Sequence, residues 1–534
     1  MGICSRGCTR KYECRYFASY LLAGFGFVTV YSEIFSLFGK VSLIANVIIS
    51  VFSLCIAYVM RKDMRRCFLR LRQTISLPKA ITAVALFILM AYGTSHGLMH
   101  YDSDLYHAQS IRWIEEYGVI KGLGNLHTRL AYNSASFCIS ALYSMKFLGT
   151  QSFHACAGFL AYVICLLCTE KFGKDSLADF RLSNVAGIVS VYYVLTIFDE
   201  MLSPASDYFM VLMAFAVVIL FLELLESKED NPEPFAMLSI LCAVILSIKV
   251  SGALLILLAV YPIVMFAQKK KIGRILFYSV TGVVTILPFV IRNVILSGYL
   301  LYPFPSIDIF DFDYKMPYFV AEFDSHEIQV YGRGYSDVGR YGESISAWIG
   351  DWFKSLDIVN KISFVAGLLG IVILIAIIVR RIVKKNREEI GELLVLCVIN
   401  ICFAFWMLTS PNIRYGCVFL YLAPALTIGY LYGKTLKRID RGRIFTACLI
   451  LLIGYKAIMF GTYFVKDFSL DNIVWQQDYG EYEVADKDVN GIRFYYAKEG
   501  DRVGYYPFPS LPVNNEIKLV SDELKDGFLP SDHQ

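Results

Sequence analysis

The sequence predicts an all-α protein that crosses a membrane many times. Of its 534 residues, 57% are hydrophobic and only 18% are charged, whereas soluble domains contain about 45–50% apolar residues. Apolar runs as long as a bilayer-spanning helix recur from one end of the chain to the other. Short clusters of Lys and Arg separate many of these runs, which is typical of the cytoplasmic loops of membrane proteins. These observations predict a polytopic membrane protein and argue against a soluble enzyme.

The apolar runs predict about 13 transmembrane helices. The first three lie at about 16–38, 41–60 and 79–99, and one further crossing lies within 134–170. The remaining nine lie at about 183–198, 208–225, 235–249, 250–266, 275–295, 361–379, 391–409, 415–432 and 443–462.

Four basic clusters predict the orientation of these helices. They are Arg61–Arg72, Lys269–Arg274, Arg380–Arg387 and Lys434–Arg443, and each directly flanks an apolar run. The positive-inside rule places such clusters in the cytoplasm, and their position beside apolar runs argues against a nucleic-acid partner. The N-terminus is then cytoplasmic, whereas the loops 100–133 and 296–360 and the C-terminus lie outside.

The stretch 134–170 is ambiguous because it holds two apolar pieces separated by Gly149-Thr150-Gln151. The segment Lys171–Arg181 carries three basic residues, and its placement in the cytoplasm allows only one crossing before it. We therefore expect the piece 134–149 to be an interfacial or re-entrant helix.

Composition divides the chain into three parts. Residues 1–78 form a cytoplasmic segment with two additional spans, and residues 79–462 form the main transmembrane module. Residues 463–534 are polar and aromatic, and the alternation in Gly491–Tyr496 predicts short strands. We expect this last part to be a small α+β appendage on the outer face.

Two acidic residues stand at the start of the first outer loop. Asp102 and Asp104 follow a predicted span directly, and His107 comes shortly afterwards. Paired carboxylates suit the binding of a divalent cation or the removal of a proton from a hydroxyl group. Acidic residues also commonly cap the N-terminus of an amphipathic helix, and we expect interfacial helices in this loop.

A second acidic group and three cationic residues are expected on the same outer face. Asp199, Glu200 and Asp207 lie between two predicted spans. With Asp104, the pair Asp199 and Glu200 would suit a divalent cation such as Mg or Mn, although no feature of the sequence requires a cofactor. Lys249, Arg292 and Arg414 lie at outer span ends and suit a phosphate group, but cations there also extend to the interface without binding a ligand.

These residues resemble the GT-C superfamily of membrane glycosyltransferases, which use polyprenyl-phosphate sugars. The segment Arg292-Asn293-x4-Gly298-Tyr-Leu-Leu-Tyr302-Pro303 is similar to the Arg-Asn…Gly-Asn-Pro-x-Tyr-Pro stretch of many bacterial members, with Tyr299-Leu300 in place of Asn-Pro. A second similarity, to a poorly characterised bacterial group related to GT-C, is carried by Tyr106-His107, Arg112-Trp113, Gly124–His127, Arg129 and Asn133-Ser134.

The resemblance implies an inverting sugar transfer at the outer face of a bacterial cell membrane. The expected donor is a sugar linked to polyprenyl phosphate, and the acceptor is a glycan, a lipid or a protein. Asp102 or Asp104 would remove the proton of the acceptor hydroxyl group, and Lys249, Arg292 and Arg414 would bind the donor phosphate. The residues expected to contact the acceptor or the sugar are His107, Asn125, His127 and Arg129.

Three other function classes remain open. One is a membrane protein with no enzymatic role, in which the outer acidic residues would be expendable. An O-antigen-type polysaccharide polymerase or ligase relies on outer-face arginines, for which Arg333, Arg340 and Arg414 are candidates. A transporter or flippase is less favoured, because the charged residues lie at span ends and not in mid-membrane.

Overall fold

A computed structural model describes residues 15–171, 180–384, 389–435 and 438–531. The first 14 residues of the expected cytoplasmic segment lie outside these ranges, as do parts of the basic clusters Arg380–Arg387 and Lys434–Arg443. Most of the described chain is helical, and the few strands lie near the C-terminus.

Nineteen α-helices lie in the described residues. They are α1 Phe17–Ser36, α2 Leu43–Val59, α3 Arg61–Thr74, α4 Leu77–Gly93, α5 Ala108–Glu116, α6 Ala135–Tyr143, α7 Cys156–Lys171, α8 Leu182–Thr196, α9 Ser206–Glu226, α10 Pro232–Ile248, α11 Val260–Gln268, α12 Ile272–Ser297, α13 Tyr318–Gly332, α14 Ile345–Ser355, α15 Ile358–Val383, α16 Ile390–Thr409, α17 Ile413–Thr435, α18 Arg438–Asp467 and α19 Asp471–Val474. A 3-10 helix, Val250–Ala259, runs directly into α11.

The helices confirm a polytopic membrane protein but not the expected 13 crossings. In the described residues, eight helices are long and apolar enough to span a bilayer, or up to nine if the bent pair α2–α3 counts as one. The predicted spans that fall short include α4, α8 and α10, which have 17, 15 and 17 residues. At 1.5 Å per residue these helices are about 23–26 Å long, whereas the hydrocarbon core is about 30 Å thick.

Helix α9 forms the centre of the bundle. All of its residues from Asp207 to Glu223 are buried, and those between the two acidic residues are apolar on every side of the helix. A helix that is apolar all round is one that other helices surround. Helices α7, α8, α10 and α17 pack against it, so its first turn, with Asp207, is held inside the protein.

The piece 134–149 contains the short helix α6, which does not have the length of a span. α6 has nine residues, about 14 Å at 1.5 Å per residue, and all but its last residue are buried. It packs against α1 and α5. The segment therefore lies inside the protein at the level of the first loop.

The C-terminal segment (468–531) contains two small sheets. Strands β1 Val484–Val489 and β2 Ile492–Ala497 form an antiparallel hairpin whose turn, Asn490-Gly491, has two positive φ angles. Asn-Gly favours this turn because both residues tolerate positive φ. The expectation of a strand within Gly491–Tyr496 is thus confirmed by β2. β3 Ser510–Leu511 pairs with β2, and β4 Lys518–Leu519 pairs with β5 Phe528–Leu529.

The C-terminal segment packs against the first loop and shares a hydrophobic core with it. Trp113, Leu123 and Leu126 of the loop lie in one cluster with Phe494 and Phe528. The backbone N–H of Phe528 also donates to the carbonyl of Lys121 at 3.0 Å. The segment therefore covers the loop that carries Asp102 and Asp104.

Candidate functional site

Polar contacts join the helices at two opposite ends of the bundle. At one end, the start of α9, the break after α10 and the start of α17 meet the loop 100–133. We call this the site end. At the other end, Lys269 pairs with Asp230 at 2.6 Å and Arg381 pairs with Glu389 at 2.7 Å. We call this the basic end.

Four charged side chains form a connected cluster at the site end. Arg414 Nη2 lies 2.8 Å from Asp102 Oδ2, and Arg414 Nε lies 3.3 Å from Asp207 Oδ2. Lys249 Nζ forms an ion pair with Asp207 Oδ1. We refer to Asp102, Asp207, Lys249 and Arg414 as the charged cluster; sequence analysis singled out all four residues, and the fold brings them together.

Each member of the charged cluster stands where regular structure starts or stops. Asp207 is in the first turn of α9, where the positive end of the helix dipole favours a carboxylate. Lys249 is extended, with φ −156° and ψ 129°, between α10 and the following 3-10 helix. Arg414 is in the first turn of α17, just before Gly416, whose φ of −151° departs from the helix. Breaks in the helices thus direct these side chains toward one another.

His100 and Tyr415 complete the surroundings of the charged cluster. Arg414 Nη1 lies 2.9 Å from His100 Nδ1, which also accepts from the backbone N–H of Asp102 at 3.1 Å. Lys249 Nζ lies 4.3 Å from the centre of the Tyr415 ring. Sequence reasoning did not assign a role to His100, although its position two residues before Asp102 was a signal.

The charged cluster is partly open to solvent and its charges balance. The side chains of Asp102, Lys249 and Arg414 are 23%, 23% and 18% exposed, whereas that of Asp207 is 5% exposed. Burial is the largest single effect and raises the pKa of Asp102, but the charge and hydrogen bond of Arg414, together with the nearby His107 and His100, hold the pKa below its usual value. Asp102 is therefore an ionised carboxylate next to two cations that suit a phosphate group.

Asp104 faces the C-terminal segment. Its Oδ1 accepts from the backbone N–H of Gly480 at 3.0 Å, and its Oδ2 accepts from the Tyr482 hydroxyl group at 2.9 Å. Its backbone carbonyl accepts from the N–H groups of Val503 and Gly504 at 3.1 and 2.9 Å. Burial raises the pKa of Asp104. Both of its carboxylate oxygens are engaged in holding the C-terminal segment.

Asp199 and Glu200 do not join the charged cluster in a shared metal site. The Asp199 carbonyl accepts from the Leu98 N–H at 2.6 Å, and Glu200 Oε2 accepts from the Tyr208 hydroxyl group at 2.5 Å. Among the described residues, no three His, Cys, Asp or Glu side chains lie together as a metal site. The set Asp104, Asp199 and Glu200 therefore does not converge.

Arg292 is buried among helices and has partners of its own. The residue is only 3% exposed. Its Nε donates to Asn133 Oδ1 at 3.0 Å, and its Nη1 donates to Ser36 Oγ. These contacts join α12 to the loop 100–133 and to α1. None of its hydrogen-bond partners belongs to the charged cluster.

The four residues expected to contact an acceptor hold the first loop in place. His107 is buried against Tyr106 and Phe137. Asn125 Nδ2 donates to the Tyr314 carbonyl at 2.7 Å, and His127 Nδ1 accepts from the Arg129 N–H at 3.3 Å.

Arg129 joins the two large loops. It pairs with Asp324 at 3.3 Å and with Glu327 at 2.7 Å, both on α13. Sequence reasoning missed these two acids, which are 195 and 198 residues away along the chain.

Two of the three arginines that favour a polymerase or ligase have partners within the second loop. Arg340 forms a bidentate pair with Glu343, with distances of 2.9 and 2.8 Å. Arg333 donates to the Tyr341 carbonyl at 2.8 Å. Of the three, Arg414 alone belongs to the charged cluster.

Comparison with known proteins assigns a family without an activity. No curated protein matches the chain, and no solved structure matches it. Residues 1–421 match the family described as Domain of unknown function (DUF8201), and all four members of the charged cluster lie within the matched part. The match covers 421 of the 534 residues, so the chain belongs to this family.

Proposed function

We propose that this protein is an inverting glycosyltransferase of the GT-C type, which moves a sugar from a polyprenyl-phosphate donor to an acceptor at the site end. The observation that carries the proposal is the contact between the Asp102 carboxylate and Arg414, with Lys249 beside them. A base and two phosphate-binding cations are the groups that such a transfer requires. The resemblance of the sequence to GT-C enzymes adds to this argument.

Asp102 is the better candidate for the base. Both oxygens of Asp104 already accept hydrogen bonds from the C-terminal segment, whereas the Asp102 side chain is 23% exposed. In the reaction, Asp102 takes the proton of the acceptor hydroxyl group while the acceptor oxygen bonds to the anomeric carbon. The bond from that carbon to the phosphate oxygen breaks, and its electron pair leaves with the polyprenyl phosphate.

Binding of the donor would also make Asp102 more basic. In the free protein, Arg414 compensates Asp102 and Asp207 together. A donor phosphate can accept two parallel hydrogen bonds from a guanidinium group, and it therefore competes with carboxylates for Arg414. Once Arg414 turns to the phosphate, Asp102 loses its nearest cation and its pKa rises. The base is then released only when the donor is in place, which protects the donor from reaction with water.

Contacts at the site end support more crossings than the eight longest helices provide. Seven of those eight lie between the loop 100–133 and Gln476. Gly480 and Gln477 contact Asp104 and Ser95, so the two regions lie on one side of the membrane, which requires an even number of crossings between them. The addition of α7, α8 and α10 gives ten, and α1, α2 and α4 bring the total to 13.

The basic end is proposed to face the cytoplasm. Lys269, Arg274 and Arg381 all have their acidic partners at that end, and the positive-inside rule assigns short basic segments to the cytoplasm. The site end, with the C-terminal segment, then lies on the outer face of a bacterial cell membrane.

Glycan and lipid analysis of a deletion strain tests the proposal. Loss of one sugar linkage, restored by the parent gene, identifies the reaction. Asp102→Asn is expected to abolish restoration while the protein still accumulates in the membrane. Asp311→Asn, the same change at an exposed position of the second loop, is the matched control and is expected to restore the linkage fully.

The same strain separates the alternatives. A polymerase or ligase that works through arginine tolerates Asp102→Asn and loses activity with Arg414→Gln. A transporter moves its substrate across vesicles without a new covalent product. Full restoration of the linkage by Asp102→Asn would rule out the proposed base and with it this mechanism.

A further inference from the structure

Helix α3 differs from the rest of the bundle in composition and in direction. Residues 61–72 contain six Lys or Arg residues and one acidic residue. The helix begins directly after α2, and its first part, Arg61–Leu69, is bent by 78° from the axis of α2. The chain from 61 to 77 contains neither Gly nor Pro, so helix formation continues after the bend.

The residues of α3 divide into an apolar face and a basic face. At 100° per residue, Met64, Cys67 and Phe68 lie within one third of the helix circumference. The basic residues Lys62, Arg65 and Arg66 lie on the remaining side together with Leu69, and Arg61 lies at the border between the two faces. The Arg66 side chain lies 2.6 Å from Asp63. With six basic residues and one acidic residue in 61–72, the helix keeps an excess of positive charge.

The protein leaves the apolar face of α3 uncovered. Phe68 is 66% exposed and Met64 is 45% exposed. A helix with a bare apolar stripe and a basic opposite face has the composition of helices that lie in the plane of a membrane surface. The partner of this helix must therefore offer an apolar region to the apolar face and an adjacent anionic layer to the basic face.

The position of α3 in the bundle places it next to a bilayer surface. The chain just before α2 is at the site end, because the Val41 N–H donates to the Ile114 carbonyl at 3.0 Å. α2 then runs away from the site end, so α3 follows it at the basic end. The exposed residues Lys269–Lys271 lie at that end as well. Positive charge is thus concentrated where the bundle leaves the bilayer.

We propose that α3 lies on the bilayer surface at the basic end and binds the headgroups of anionic phospholipids. Phe68 and Met64 insert between the acyl chains, and the basic face, led by Arg65 and Arg66, contacts the phosphate groups. This binding site is separate from the charged cluster, and the inference does not depend on the proposed activity.

Hydrogen exchange on the full-length protein in lipid nanodiscs tests the inference. One set of nanodiscs contains phosphatidylcholine only, and the other contains phosphatidylcholine with phosphatidylglycerol. We expect the amides of residues 61–74 to exchange roughly tenfold more slowly in the anionic nanodiscs, because several cations each gain attraction to the anionic surface. High salt is expected to remove much of the difference, because it screens exposed charges.

Two double variants identify the charges responsible. Arg65→Gln with Arg66→Gln is expected to remove most of the lipid-dependent protection of residues 61–74. Lys270→Gln with Lys271→Gln lowers the net charge of the same end by the same amount and is expected to leave that protection intact. Exchange of α9 reports in every sample whether the bundle is folded.

Three results would overturn the inference. These are equal exchange of residues 61–74 in the two kinds of nanodisc, full protection in the Arg65 and Arg66 variant, and equal loss of protection in the Lys270 and Lys271 variant. The last result would mean that total charge, and not α3, attracts the lipid.

Discussion

Glu115 is a buried carboxyl group at the contact between the first loop and the C-terminal segment. The residue is 5% exposed, its Oε2 accepts from the Tyr505 hydroxyl group, and its Oε1 accepts from Ser152 Oγ at 3.3 Å. Burial raises the pKa of Glu115 from 4.5 to about 7, although hydrogen bonds from Ser144, Tyr505 and Ser152 oppose the rise. Contact between the two parts of the chain should therefore depend on pH.

The direction of this dependence follows from the protons bound. Between about pH 4.5 and pH 7 the docked state keeps a proton on Glu115 that an undocked, hydrated Glu115 has released. The free energy of docking therefore weakens as pH rises through this window and levels off above it. The shift of 7 − 4.5 = 2.5 pH units corresponds to at most about 3 kcal/mol, at about 1.36 kcal/mol per unit.

Replacement of Glu115 by Gln removes the titration. The measurement is hydrogen exchange of the C-terminal segment in the full-length protein at about pH 5 and about pH 8, corrected for the intrinsic pH dependence of amide exchange. The parent is expected to lose protection at the higher pH, and Glu115→Gln is expected to keep the same protection at both. Glu116→Gln, a change at the exposed neighbouring residue, should behave like the parent. An equal pH dependence in the parent and in Glu115→Gln would refute the reasoning.

Two further predictions concern the anchoring of the first loop. Gly118 has a φ of +87°, and a Cβ atom there would lie 2.5 Å from the carbonyl oxygens of Ser36 and Gly39; we expect Gly118→Ala to destabilise the protein by about 2 kcal/mol or more. Thermal unfolding in nanodiscs measures this, with Gly342→Ala, which has open space around it, as the control; equal midpoints for the two variants would contradict the prediction. Arg129→Ala leaves the buried Asp324 carboxylate without its cation, and we expect a loss of about 3–5 kcal/mol, part of which returns in the double variant with Asp324→Ala. A double-mutant cycle tests the pair, and additive losses would mean that the two side chains are not coupled.

The positions of the helices were largely accessible from the sequence. The predicted spans 16–38 and 208–225 correspond to α1 Phe17–Ser36 and α9 Ser206–Glu226. This agreement has a physical cause, because an apolar backbone segment in lipid has few ways other than a helix to satisfy its hydrogen bonds. The ends of the helices were less predictable, since α4 ends at Gly93, six residues before the predicted end at 99.

The different surroundings of Asp102 and Asp104 could be predicted only in part from the sequence. Both residues lie in a helical stretch that begins at Tyr101, and residues two apart in a helix point about 200° apart. One carboxylate therefore faces the charged cluster and the other faces the C-terminal segment. Helical geometry predicts such a separation, but which residue takes which side depends on what packs against each face.

Contacts between residues far apart in the chain could not be predicted from the sequence. Arg414 and Asp102 are 312 residues apart, and Arg292 meets Ser36 across 256 residues. A single sequence reports the chemical type of each residue, whereas helix packing decides which distant residues meet. Sequence analysis therefore assigned Arg292 and Arg414 to one group, and the fold separates them.

The contacts of Asp104 have a consequence for biosynthesis. Its partners Gly480 and Tyr482 lie 376 and 378 residues downstream, and chains fold during synthesis from the N-terminus. Asp104 thus leaves the ribosome long before the residues that will hold it exist. Every intervening helix must be inserted with the correct polarity before those residues reach the right side of the bilayer. Formation of this contact is therefore a late event in biosynthesis, and it requires that the entire bundle has been assembled.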